Sequence, residues 1–135
     1  MVIYSRGKVY KPTALKALLT LVILASGVAV SYADDDFSLH TYPNPFVAGY
    51  APARLVYYLP ASSFISLYVY DLEGNPVRTL AEKAERPAGA YNGQDVWDGR
   101  DDGGEFVPAG AYLIVLDVRT RGETLRDTFI AVVDR

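Results

Sequence analysis

Cysteine is absent from this chain of 135 residues. Its absence excludes disulfides, thiolate zinc sites, a cysteine nucleophile and a lipidated cysteine anchor. Histidine occurs once, as His40, with no second histidine and no catalytic set clustered around it, so a surface or packing role fits it better than catalysis or metal binding. Past Ala33 there is no long stretch of helical period, and therefore no helix for a phosphate-cradling glycine loop to open. Basic residues are also scarce there: all 16 acids but only nine of the 13 Lys and Arg follow Ala33, a net charge of −7. Such a surface repels phosphate backbones and excludes nucleic acid as a partner.

The first 33 residues have a composition of their own. Arg6, Lys8, Lys11 and Lys16 are their only charges; the apolar run ALLTLVILASGVAV follows from Ala17 to Val30, and Ser31 and Ala33 are small residues at the −3 and −1 positions of a cleavage site. Charged start, apolar middle and small-residue exit make a secretory signal peptide. An uncleaved anchor helix is the alternative, Ala17 to Ala33 being just long enough to span a bilayer. Either way residues 34–135 are expected outside the cytoplasm, touching the membrane only through residues 1–33. Asp34 to Ser38 reads as a tether.

From Phe37 onward, short alternating segments are punctuated by turn residues, which predicts an all-β domain. Expected strands are Phe37 to Tyr42, Arg54 to Leu59, Phe64 to Tyr70, Pro76 to Lys83, Tyr91 to Trp97, Ala111 to Arg119 and Thr124 to Val133. Leu55, Tyr57 and Leu59 share one face of the second. Tyr112, Ile114, Leu116 and Val118 share one face of the sixth. Asp71 to Pro76 is a turn in which Gly74 is free to take positive φ. About seven antiparallel strands at this spacing match an immunoglobulin-like β-sandwich. Phe129 to Val133 is a candidate exposed edge for pairing with another subunit.

The densest chemistry is WDGRDDGGE, Trp97 to Glu105. As calcium ligands, Asp98, Asp101, Asp102 and Glu105 offer several of the six to eight oxygens that ion takes. Their spacing is not that of an EF-hand, and Arg100 places a competing cation among them. As catalytic acids they lack the contrasting environments that push two carboxyl pKa values apart. As turn formers they are well explained, because Asp accepts backbone N–H bonds two residues on and glycine allows tight reversal, in Asp98-Gly99 and again in Asp102-Gly103-Gly104. This reading predicts no enzymatic activity and no cofactor. Eight tyrosines follow Ala33, with Tyr57, Tyr58, Tyr68 and Tyr70 on two consecutive segments. Core packing or cross-strand pairing is one use for them, and a face that binds protein or sugar is another. A carbohydrate- or calcium-dependent ligand-binding module is accordingly the alternative function.

In order along the chain, Tyr42-Pro43-Asn44-Pro45-Phe46, Tyr58-Leu59-Pro60, Leu67 to Leu80 with Asp71 and Gly74, Val96-Trp97-Asp98-Gly99-Arg100-Asp101-Asp102-Gly103-Gly104, and Val107-Pro108-Ala109-Gly110-Ala111-Tyr112 resemble one family. They are similar to the immunoglobulin-like domain of the flagellar hook-capping protein and to the C-terminal domains that end many proteins exported by the type IX secretion system. The resemblance covers Leu39 to Arg135. It implies a β-sandwich without catalytic residues, serving as a scaffold, sorting or cell-surface attachment module whose partners are proteins, with Trp-Asp-Gly as a landmark of the fold. Members of that family ordinarily follow a larger cargo, whereas here the domain follows the signal segment almost directly.

Overall fold

The computed structural model describes residues 3–5, 8–10 and 38–135. Two three-residue strands, β1 (Ile3–Ser5) and β2 (Lys8–Tyr10), pair antiparallel. The rest of the expected signal segment, its apolar run included, lies outside the described residues. No helix among the described residues is long and apolar enough to cross a membrane.

The body of the protein is all β, in two sheets. β3 (His40–Tyr42), β5 (Ala53–Leu59) and β8 (Gly89–Trp97) form one sheet in the order β3-β5-β8. β4 (Phe46–Val47), β10 (Thr124–Asp134), β9 (Gly110–Arg119), β6 (Ser63–Tyr70) and β7 (Pro76–Arg86) form the other, in the order β4-β10-β9-β6-β7. Every neighbouring pair in these sheets is antiparallel except β4 and β10, which run parallel with Phe46 opposite Val133.

Alternation in the sequence decides which face turns inward, since successive side chains of a strand point to opposite sides of the sheet. Ala53, Leu55, Tyr57 and Leu59 of β5 are buried, as are Ile65, Leu67 and Val69 of β6, and Tyr112, Ile114, Leu116 and Val118 of β9. With Leu39, Phe46, Trp97, Ala131 and Val133 they make one continuous core between the sheets. Each large side chain so buried contributes roughly 1.5–3 kcal/mol. Trp97 is the hub: it is fully buried and packs edge-on against Phe46 at 5.4 Å and Tyr112 at 5.2 Å. Three strands are thereby joined through one indole.

The first expected strand, Phe37 to Tyr42, is strand only from His40, Ser38 and Leu39 lying outside it, and two further features depart from the pattern expected from sequence. The two-residue strand β4 is an eighth strand of the sandwich, too short for any periodicity to reveal. β7 continues beyond Lys83 to Arg86, passing through an irregular register at Lys83, whose φ is 46° and whose N–H donates to Ser66 Oγ at 3.0 Å. An extra residue there lets the strand bend and carry on where simple alternation breaks down.

Candidate functional site

The acidic loop between β8 and β9 is built almost wholly from hydrogen bonds to backbone. Asp98 Oδ1 accepts the N–H of Arg100 at 3.1 Å, an Asx turn. Asp101 Oδ1 accepts the N–H of Glu105 at 3.0 Å, while the N–H of Asp101 donates to the Glu105 carbonyl and that of Gly104 to the Asp101 carbonyl. The indole N–H of Trp97 reaches up to the Arg100 carbonyl at 2.9 Å, which ties the loop to the core. Arg100, the residue that turn chemistry alone does not require, lies 3.7 Å above the Phe106 ring and donates through Nη1 to the Gly104 carbonyl at 2.7 Å. It staples the two ends of the loop.

Asp102 does something different. Its N–H donates to the Val77 carbonyl at 2.9 Å, and its Oδ1 accepts the N–H of Thr79 at 3.0 Å. One residue thus supplies both the donor and the acceptor that a neighbouring strand would offer to the outer edge of β7. Arg78 supports the contact by donating to the Asp101 carbonyl at 2.7 Å.

The opposite edge of the same sheet is closed in a matching way. Asn44, between Pro43 and Pro45 whose preceding peptide bonds are both cis, donates from Nδ2 to the Ile130 carbonyl at 2.9 Å. Its Oδ1 accepts the N–H of Val132 at 2.8 Å. β4 then continues the cover along Val133 and Asp134. The edge from Phe129 to Val133, expected from sequence to be open for pairing, is therefore occupied by the protein's own side chain and short strand. Further along β10 the buried Asp127 accepts the N–H of Leu39 at 2.6 Å.

The remaining landmarks fall at turns and strand ends. Asp71 accepts the N–H groups of Glu73 and Asn75 through Oδ1 and the Asn75 amide through Oδ2, in a turn where Gly74 has φ 89°. The Asn75 side chain, more than any other group, holds the Asp71 carboxyl below the usual carboxylate range. Tyr112, at the start of β9, donates its hydroxyl back to the Pro108 carbonyl at 2.7 Å, and burial raises its pKa. Gly110 opens that strand at φ 148°, and Gly103 lies beside the Asp101 carboxylate.

Of the calcium candidates, three aim a carboxylate oxygen at three different backbone N–H groups, those of Arg100, Glu105 and Thr79. Among the described residues no three acidic or imidazole side chains gather where a metal ion could sit. The tyrosines separate as well. Tyr57 points into the core and stacks on Tyr91 at 4.9 Å. Tyr68 and Tyr70 lie on the outer face of the other sheet, alternating with buried Leu67 and Val69, so the four do not form one face. His40 is exposed and meets Phe129 edge-on at 6.1 Å.

Sequence reasoning did not single out the polar network between the sheets. Tyr57 donates its hydroxyl to Asp95 Oδ2 at 2.6 Å, and Arg86 Nη2 lies 3.2 Å from Asp95 Oδ1. Burial, reinforced by the Asp95 carboxylate, pushes the Tyr57 hydroxyl far above its ordinary value, so it stays protonated and donates. No local signal announces this set, whose members come from β5, β7 and β8.

No family model matches the chain, and no curated protein matches it. Among solved structures, FlgD from P. aeruginosa is similar over 57% of this chain and 58% of its own, at 27% identity and a TM-score of 0.47. PorZ of Porphyromonas gingivalis, described as an essential bacterial surface component of the type IX secretion system, is similar over 81% of this chain and 13% of its own, at 21% identity and a TM-score of 0.47. The chain spans less than two thirds of the length of either protein.

Proposed function

We propose that this chain is a non-enzymatic, exported β-sandwich module of immunoglobulin-like topology that works through protein contacts, as a structural, sorting or cell-surface interaction domain. The observation that carries the reading is the use of the motif side chains. Asn44 and Asp102, taken from the two most distinctive stretches of the sequence, hydrogen-bond to the protein's own sheet edges. Residues that could have served a reaction instead finish the scaffold.

The topology supports the immunoglobulin-like assignment. A three-stranded sheet faces a sheet in which a short early strand runs parallel to the last, and a tyrosine at the start of the penultimate strand bonds back to a backbone carbonyl four residues upstream. That is the tyrosine corner of such sandwiches. The resemblance of the sequence landmarks to type IX sorting domains, together with the signal-like composition of residues 1–33, supports a place on or beyond the envelope.

Fusion of residues 37–135 behind an unrelated exported reporter, in a bacterium that carries the type IX apparatus, tests the sorting version. Surface display is the expected result, and reporter held in the periplasm removes that version. Replacing Asp101 and Asp102 by Asn leaves display nearly unchanged on this reading, since each amide oxygen still accepts a backbone N–H.

A further inference from the structure

The chain has three asparagines, and the fold treats one of them differently from the other two. Asn44 and Asn75 each precede a proline, and their side-chain amides are engaged: Asn44 with the Ile130 carbonyl and the Val132 N–H, Asn75 with Asp71 Oδ2. Asn92 precedes Gly93. Its side chain is exposed in the middle of β8, an outer strand of the three-stranded sheet, and makes no hydrogen bond with any described residue.

The register of β8 breaks at the same point. Asn92 pairs with Val56 and Val96 with Arg54, so Gly93, Gln94 and Asp95 together stand opposite the single residue Leu55. Gly93 has no partner in the ladder, and its φ is 84°. A Cβ there would lie 3.0 Å from Arg54 Cδ, so both the backbone and the packing of Arg54 hold this position to glycine. The bulge thus places the least obstructed backbone nitrogen a chain can offer directly after a free, solvated amide.

We infer that Asn92 is a site of spontaneous deamidation in the folded protein. The Gly93 nitrogen attacks Asn92 Cγ; a C–N bond forms there as the bond from Cγ to the side-chain nitrogen breaks, and ammonia leaves with the proton that Gly93 gives up. Water then opens the succinimide. Cleavage between Cγ and the Gly93 nitrogen yields aspartate, and cleavage between the main-chain carbonyl carbon and that nitrogen yields isoaspartate, whose chain runs on through Cβ. No electrons are exchanged. Either product takes residues 34–135 from a charge of −7 to −8, and isoaspartate also lengthens an outer strand by one backbone atom.

The other asparagines are barred from this route, because a proline nitrogen has no proton to give up. The two Asp-Gly pairs of the acidic loop are poorer electrophiles, being carboxylates, and Asp98 and Asp102 are already committed to the N–H groups of Arg100 and Thr79. Gln94 Oε1 accepts the N–H of Asn92 at 2.5 Å, and cyclisation of glutamine would need a larger ring.

The inference goes beyond the sorting role, and the fusion experiment above reads out independently of it. Incubation of the purified full chain in mildly alkaline native buffer, followed by trypsin digestion and mass spectrometry, is the test. The peptide spanning residues 84–100, which contains Asn92 and no other asparagine, is expected to gain with time the mass difference between OH and NH2. Fragmentation is expected to place the change at Asn92 and chromatography to resolve aspartyl and isoaspartyl forms, while the peptides containing Asn44 and Asn75 stay unchanged. Asn92→Gln, which keeps an exposed amide, is expected to abolish the acidic band that grows on native isoelectric focusing. No conversion in native buffer overturns the proposal, as does conversion seen only in urea, conversion placed at Gln94, or an acidic band that persists in Asn92→Gln.

Discussion

Asp71 closes its turn with three hydrogen bonds from two neighbours, and the consequence is visible in acid. Its folded pKa lies below the ordinary 3.8, chiefly through the Asn75 side chain. Its contribution is therefore present above that ordinary value and lost as pH falls through the lower folded one. Asp71→Asn is expected to flatten the acid limb of a stability-against-pH profile measured by urea unfolding. Tyr57 gives the opposite sign. Its folded pKa is raised far above the ordinary 10.0, so its stabilisation is complete below that value and declines as pH climbs toward the folded one. Tyr57→Phe leaves Asp95 short of a donor in a site 9% exposed, at an expected cost of about 1–3 kcal/mol, readable as a lower urea midpoint at neutral pH. The Asp71 turn was legible from Asp, Gly and Pro in sequence. The Tyr57 network was not, because Tyr57 and Asp95 stand 38 residues apart and only the pairing of β5 with β8 brings them together.

Strand edges present unpaired N–H and C=O groups to any passing chain, and natural sheets block them. Here Asp102 blocks the outer strand β7, and Asn44 blocks the stretch of β10 that the short β4 leaves uncovered. Asn44→Ala and Asp102→Ala are each expected to lower stability only modestly, by about 0.5–1.5 kcal/mol per net hydrogen bond lost. The clearer outcome is association: the double variant is expected to sediment as concentration-dependent oligomers where the parent chain does not. Asn44→Ala is the stronger of the two singles, because the edge it uncovers lies between Ile130 and Val132. A monomeric double variant would show that the edges are safe without these residues. The acidic loop, as an element, yields a further expectation. With Asp98, Asp101 and Asp102 directed at separate backbone donors, millimolar calcium leaves the melting temperature unchanged, whereas a ligand bound only by the native state would raise it.

For the molecule as a whole, the proposed export is the part of the reading most open to direct test. N-terminal sequencing of the protein recovered from a secreting host is expected to begin at Asp34, and a product retaining Met1 would favour the anchor. The sequence by itself determined the strand alternation, the turns at Asp71 and Asp98, the class of the fold and the absence of thiol chemistry, because each rests on residues within a few positions of one another. Tertiary structure alone decided that Asp102 serves β7, that Asn44 serves β10, and that two residues at Phe46 make a strand. Those pairings join segments from 23 to 88 residues apart. Local pattern carries no record of such distances; the burial of one face of each sheet against the other sets them.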